Sequence, residues 1–60
     1  MTTKEINKAL LLGYAVELKG DSMQRICRDL FGNLVVVSLA ADVPVRQATL
    51  ADIRKAIIKT

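Results

Sequence analysis

Ser22, the first serine of the sequence, lies in a predicted turn, where its hydroxyl could act as a catalytic nucleophile. A serine hydroxyl becomes nucleophilic only when a base takes its proton, and the chain contains no histidine. Lysine can replace histidine as the base, but sixty residues joined by short loops leave little room for a closed substrate pocket. We therefore expect residues 20–22 to form a turn, and we expect no enzymatic activity and no catalytic residue.

The carboxylates and the single thiol are the side chains that could bind a metal ion. Asp52 occupies a predicted helix cap, whereas Asp21, Asp29 and Asp42 fall in predicted turns, where aspartate bonds the local backbone. Cys27 lies in a predicted strand, and we expect it to be a small buried apolar residue. A structural zinc site needs more cysteine or histidine ligands than this chain has. We therefore expect no metal and no cofactor.

The basic residues are the strongest candidates for a functional role, because lysine and arginine neutralise nucleic-acid phosphates. They number nine against six acidic residues, which gives a net charge of +3, and the pI is near 9.4. Only Tyr14 and Phe31 are aromatic, so stacking on single strands has little support. The competing interpretation is a solvated face on which Asp52 pairs with Lys55. The candidates for nucleic-acid contact are Arg25, Arg28, Arg46, Arg54, Lys55 and Lys59.

The size and composition of the chain point to association with a partner. A domain of sixty residues buries only about 60% of its unfolded surface, and it usually needs a disulfide, a metal or another chain. One cysteine cannot form an intramolecular disulfide, and 52% of the residues are hydrophobic, which exceeds the usual ~45–50%. We therefore expect one small domain over residues 1–60 that forms a homodimer.

Two sequence features bear on location. The longest apolar run, residues 9–16, is far shorter than the ~20 residues that a membrane-spanning helix needs, and no signal-peptide pattern is visible. The unpaired thiol of Cys27 suits a reducing compartment. The sequence therefore predicts a cytoplasmic protein with no membrane partner.

A capping pattern marks the start of a first helix. Thr2 and Glu5 have the spacing of a capping box, which predicts a helix from there to about Leu12. Gly13 is a natural residue to end that helix, since glycine accepts positive φ. From residue 14 to residue 19 apolar and other residues alternate, which is typical of a half-buried strand.

The middle of the chain predicts a hairpin. After the turn at residues 20–22, residues 23–28 form a second strand, and residues 29–33 reverse the chain into a third strand, Leu34 to Leu39. The third strand is apolar on both faces, which predicts a place at the centre of the sheet or beneath a subunit contact.

The last third of the chain predicts a second helix. Pro44 interrupts strand pairing, and residues 45–48 form at most a short edge strand. Thr49 and Asp52 repeat the capping pattern, which predicts a helix from Leu50 to about Lys59 with an inner stripe of Leu50, Ile53 and Ile57. The predicted fold is α+β, a helix, a three-stranded antiparallel β-meander and a helix (αβββα), with both helices on one sheet face. The alternative is a first helix that continues to residue 19, followed by a hairpin and the last helix.

Apolar residues outside the inner helix stripes indicate a contact surface. On a helical wheel of residues 50–59, Ile58 widens the apolar arc and Arg54 lies within it. Leu12 makes the first helix apolar around its circumference, and Val36 lies on the strand that is apolar on both faces. We expect these four residues to form a homodimer interface. The sequence thus favours a small non-enzymatic interaction or regulatory protein that binds another macromolecule, most readily a protein, with a nucleic-acid-binding regulator as the alternative.

Overall fold

The structure is a computed structural model that describes residues 1–59. It has the α+β class, with a five-stranded antiparallel sheet in the order β4-β3-β2-β1-β5. The elements are α1 (Thr3–Leu11), β1 (Ala15–Leu18), β2 (Asp21–Arg28), β3 (Leu34–Ser38), β4 (Val43–Gln47), α2 (Leu50–Lys55) and β5 (Ala56–Lys59).

The first helix begins and ends where the sequence predicts. The Thr2 hydroxyl accepts a hydrogen bond from the Glu5 amide at 3.2 Å, and a Glu5 carboxylate oxygen accepts one from the Thr2 amide at 3.2 Å. Gly13 has a φ of 84°, and the Tyr14 amide then donates to the Ala9 carbonyl at 3.0 Å. This geometry closes the helix after Leu11. The alternative of a first helix that continues to residue 19 is therefore wrong.

The turn between β2 and β3 is organised by one aspartate. The Asp29 carboxylate accepts hydrogen bonds from the Phe31 amide at 2.9 Å and the Asn33 amide at 2.8 Å. The predicted hairpin is confirmed. The central strand, however, is β2 and not β3, which lies one place nearer the β4 edge.

The predicted three-stranded meander flanked by helices is wrong, because the sheet gains a strand at each edge. The short edge strand that the sequence allows at residues 45–48 is present as β4 over residues 43–47. Val43 and Pro44 pair with β3, so the expectation that Pro44 interrupts strand pairing is wrong. Residues 56–59 pair with β1 as β5. The second helix is capped as predicted, but it ends at Lys55, since Ala56 has extended dihedrals. Pairing with β1 overrides the helical pattern of this apolar, β-branched segment. The inner stripe is wrong at both ends, as Leu50 is 70% and Ile57 is 37% exposed.

The two faces of the sheet differ in what lies against them. Ile6 and Ala9 of α1 and Ile53 of α2 belong to one core cluster with the sheet residues Val16 and Val36, among others. Both helices therefore lie on the same side, which we call the covered face. Successive strand residues alternate in direction, so the neighbours of these core residues point the other way. This second side is the open face, formed by Ala15, Glu17, Arg25, Cys27, Val35, Val37, Pro44, Gln47, Ile57 and Lys59.

Candidate protein-interaction site

One row of side chains crosses all five strands on the open face. In order from β5 to β4 it contains Ile57, Glu17, Arg25, Val37 and Pro44, each paired in register with the next. A charged pair thus lies between apolar residues on both sides. Interfaces commonly combine apolar contact area with arginine in this way.

Glu17 and Arg25 are direct cross-strand neighbours, but they form no ion pair with each other among the described residues. Both side chains are half-buried. The Nε atom of Arg25 is buried without a hydrogen-bond partner in residues 1–59, so neighbouring side chains cover part of this arginine. A buried donor without a partner costs free energy. The pair therefore has unused bonding capacity at the centre of the open face.

The next row of the open face contains an apolar side chain that neither α1 nor α2 covers. Val35 is only 7% exposed, yet it is absent from the core cluster that the helices form with the sheet. Its cross-strand neighbours are Cys27 on one side and Gln47 on the other. Cys27 is a free, half-buried thiol. Val35 is thus buried by neighbouring side chains of the open face and not by a helix.

Arg46 is held in an ion pair with Asp52. Its guanidinium donates two hydrogen bonds to the Asp52 carboxylate, of which the one from Nη2 to Oδ1 measures 2.8 Å. The hydrogen bonds from Arg46 hold the pKa of Asp52 well below its usual range, and further bonds from Thr49 act in the same direction. This ion pair joins the edge strand β4 to the start of α2. Nothing in the sequence spacing indicates it.

A shallow groove of about 310 Å³ lies between α1 and β5. Two of the predicted interface residues, Leu12 and Ile58, are on its wall. Ile58 reaches the groove from a strand, however, and not from the predicted helix. The groove is lined by Glu5, Lys8, Ala9, Leu12, Tyr14 and Ile58.

The other predicted interface residues lie elsewhere. Val36 is fully buried in the core of the single chain, so it has no surface to offer a partner. Arg54 is exposed on α2. The structure therefore brings together only Leu12 and Ile58 of the four.

The candidates for nucleic-acid contact are spread over several parts of the surface. Arg25 and Lys59 lie on the open face, Arg54 and Lys55 in the last turn of α2. Arg28 ends β2 beside the hairpin turn, and the guanidinium of Arg46 is bound to Asp52. No single basic patch unites the six.

The open-face residues Glu17, Val37 and Ile57 were missed as site residues. The sequence does contain a signal for Val37, because β3 is apolar on both faces and one of them must lie away from the core. Ile57 could not be placed on the open face while residues 56–59 were predicted to be helical.

No protein-family model, curated protein or solved structure matches this chain. Within residues 1–59 no helix has the length and apolar character needed to cross a membrane. The same residues contain no group of three acidic or cysteine side chains arranged to hold a metal ion. The class that the structure defines is a small α+β protein whose antiparallel sheet is covered by helices on one face.

Proposed function

We propose that this chain is a small non-enzymatic interaction protein that forms a homodimer through its open face and binds another protein. One observation carries the proposal: within residues 1–59 the helices lie on one face of the sheet only, and the other face presents the Glu17 and Arg25 pair among apolar residues. The free thiol of Cys27 is compatible with the reducing, cytoplasmic setting that the sequence predicts.

The occupant of the open face is a second copy of the chain, because the charges of this face complement themselves. A two-fold axis parallel to the strands, midway between β1 and β2, would place β1 over β2 of the partner subunit. Glu17 would then face the partner subunit's Arg25, and the same contact would occur twice. Stacked sheets lie ~10 Å apart, a gap that a glutamate and an arginine can span together. Such a pair fixes the register of a dimer more than its affinity.

The size of the open face indicates a weak dimer. Five strands ~4.8 Å apart and five residues long cover roughly 24 by 17 Å, or about 400 Å² as a flat area. Specific interfaces usually bury about 800 Å² on each partner. We therefore expect dissociation near the micromolar range or above it, and the association must be measured from micromolar to millimolar concentration.

The nucleic-acid alternative has weaker support from the structure. Its candidate cations lie on different faces, and Arg46 is bound to Asp52. Binding of duplex DNA or RNA with a steep loss of affinity at higher salt would favour that alternative.

Charge exchange across the interface tests the proposed dimer. Alone, the Glu17→Arg variant places two arginines at each contact, and the Arg25→Glu variant places two glutamates there. Both should sediment as monomers at concentrations where the unaltered chain dimerises. An equimolar mixture restores an arginine opposite a glutamate at both contacts, so it should dimerise again.

The mixture also distinguishes loss of the dimer contact from loss of folding stability. Charge repulsion within one chain is the same whether or not the second variant is present, so only the contact between chains can be restored by mixing. The matched control is Arg54→Glu, which reverses an exposed charge on α2 and should leave the dimer intact. A monomer at all concentrations for the unaltered chain, or a mixture that stays monomeric, would contradict the proposal.

A further inference from the structure

We propose that the free edge of β5 and the groove beside α1 bind an extended acidic segment of a partner protein by strand addition. This inference rests on the proposed function, since it names the site and the chemistry of the partner that the dimer would bind. Strand addition supplies affinity through main-chain hydrogen bonds, and pockets for alternate side chains supply specificity.

The hydrogen-bond pattern of β5 shows which backbone groups point outward. The Lys19 amide donates to the Lys55 carbonyl at 2.9 Å, and bonded pairs alternate along an antiparallel ladder. The backbone amides and carbonyls of Ile57 and Lys59 therefore bond to β1. Those of Ala56 and Ile58 point away from β1. The Ala56 amide donates to the Ile53 carbonyl. The groups that an added strand could bond at the outer edge of β5 are therefore the Ile58 amide and the carbonyls of Ala56 and Ile58.

The groove lies where an added strand would place every second side chain. The Ile58 side chain points to the covered face, because Ile58 pairs with the core residue Val16. A strand added beside β5 would run ~4.8 Å further out. Its side chains on the same side would then enter the groove between α1 and β5. Leu12 is 59% and Tyr14 is 41% exposed there, so the groove can bury apolar side chains of a partner.

The charges around this edge select an acidic segment. Lys55 immediately precedes β5, Lys59 is the last residue of β5, and Lys8 lies on the groove. None of these three forms an ion pair within residues 1–59. The Glu5 carboxylate is occupied at the cap of α1. The unpaired positive charge therefore favours a partner with aspartate and glutamate.

The same charges disfavour a second copy of this chain at the β5 edge. Antiparallel pairing of β5 with itself would bring Lys55 and Lys59 of both chains into one short two-stranded ribbon. Like charges in neighbouring strands are destabilising. The open face carries complementary charges instead, so the two surfaces suit different occupants.

Fluorescence anisotropy with a defined peptide tests the inference. The probe is a fluorescein-labelled nine-residue peptide that alternates valine with aspartate or glutamate. We expect saturable binding that is at least tenfold tighter than binding of the same peptide with lysine at each acidic position. Equal affinity for the two peptides, or no binding of the acidic one, would overturn the inference.

Two methylated peptides test the backbone contact. One carries N-methyl groups on its valines and the other on its acidic residues, so each blocks the amides on one side of an extended strand. Strand addition predicts that one isomer loses at least tenfold in affinity while the other binds nearly as before. Equal loss in both would show that binding is not by strand addition.

Substitutions locate the binding site on this chain. Leu12→Asp should weaken peptide binding at least tenfold, whereas Leu11→Asp should not, because Leu11 is 77% exposed and does not line the groove. Lys55→Glu, which changes a cation beside β5 that is not on the open face, should weaken binding roughly fivefold, and Lys4→Glu is its control on the exposed side of α1. Loss of binding that is equal in a variant and its control would place the site elsewhere.

Failure of this inference is distinguishable from failure of the proposed dimer. Leu12→Asp should leave the sedimentation of the dimer unchanged, since Leu12 is not on the open face. Rescue of the dimer by mixed charge variants without peptide binding would overturn only the strand addition.

Discussion

The two edges of the sheet are built in opposite ways. The β4 edge contains Pro44, has an irregular register between Val36 and Val37, and consists of exposed residues along its length. The β5 edge pairs with β1 over four residues without irregularity and contains no proline. Prolines and irregular pairing are the usual protection of an edge against strand addition. The difference supports the proposal that β5, and not β4, is the edge that binds a partner.

The backbone shows how Pro44 closes its edge. The Ala48 amide donates to the Leu34 carbonyl at 2.9 Å, and the Leu39 amide donates to the Met23 carbonyl at 2.8 Å. Because bonded pairs alternate along an antiparallel ladder, the backbone groups of Leu34 and Val36 point towards β4, and those of Val37 point towards β2. Pro44, opposite Val37, therefore lies where the backbone nitrogen faces solvent. Proline costs no ladder bond at this position, and it removes a donor from the outer edge.

The two edges also differ in whether their basic side chains form ion pairs. At the β4 edge, Arg46 is bound to Asp52, whose side chain is only 9% exposed. At the β5 edge, Lys55 and Lys59 have no acidic partner within the described residues. A satisfied ion pair fixes strand position, whereas an unpaired cation remains able to bind a partner. This contrast can be tested by changing each edge separately.

The largest expected effect comes from breaking the ion pair at the β4 edge. Asp52→Asn keeps an oxygen to cap α2, but it leaves Arg46 without its counter-charge. Removing one partner of a fully buried pair costs about 3–5 kcal/mol. The Arg46 side chain is 45% exposed, so we expect about 2 kcal/mol less unfolding free energy, because water screens part of the interaction. Urea unfolding at pH 7 measures it, and Asp42→Asn is the control with near-zero effect.

The same substitution should remove most of the acid sensitivity of the fold. Arg46 lowers the pKa of Asp52 in the folded chain below its unfolded value of about 3.9. The stabilisation is therefore complete above that value, and it is lost as the pH falls below about 4. Bonds from the Asn33 amide lower the pKa of Asp29 in the same direction, so a smaller dependence should persist. An unchanged slope of stability between pH 4 and pH 2 in Asp52→Asn would contradict this account.

The next effect concerns the free donor at the β5 edge. Ile58→Pro removes the outward amide without removing a bond to β1, so the sheet should survive. Loss of the half-buried isoleucine side chain should cost about 1–2 kcal/mol. Ile58→Val keeps the amide and most of the side chain, and it serves as the control. We expect Ile58→Pro to abolish binding of the acidic peptide while Ile58→Val retains it. Peptide binding by a folded Ile58→Pro variant would show that the Ile58 amide is not used.

The converse change should open the β4 edge. Pro44→Val restores an outward amide at a site that already has extended backbone, and valine favours strands. In the Glu17→Arg background, which removes the proposed dimer of the open face to which Pro44 also belongs, we expect stability to change by less than about 1 kcal/mol, but concentration-dependent association should increase. Dynamic light scattering and sedimentation at millimolar concentration measure it. Pro44→Lys, which restores the same amide beside a charge, is the control and should associate less.

The sequence predicted the elements whose signals are local. The capping residues Thr2, Glu5, Thr49 and Asp52 set both helix starts, and Gly13 marked the end of the first helix. These signals depend on hydrogen bonds within a few residues, so they can be found without knowing the fold.

The elements that depend on distant partners were not predictable in the same way. The pattern of residues 50–59 predicts a helix, but residues 56–59 form β5 because β1 offers them an edge with which to pair. The open face could be found only after that correction, because Ile57 and Lys59 then join Glu17 and Arg25 on one side. The groove, similarly, combines residues from opposite ends of the chain. Its members Leu12 and Ile58 were chosen for their apolar character, and their proximity was not foreseen.

The smallest expected effect is that of Asp42→Gly, at the turn that leads into β4. Asp42 has a φ of 55°, and its amide donates to the Ser38 carbonyl at 2.8 Å. Aspartate tolerates this left-handed conformation better than a β-branched residue does. Asp42→Gly should therefore change the unfolding free energy by no more than about 0.5 kcal/mol, and Asp42→Val should lower it by about 1 kcal/mol or more. Thermal unfolding of the two variants measures the difference. Because this turn supports only the closed edge, neither variant should alter binding of the acidic peptide at β5; a loss of binding in Asp42→Val at a temperature where it is folded would show that the two edges are coupled through the sheet.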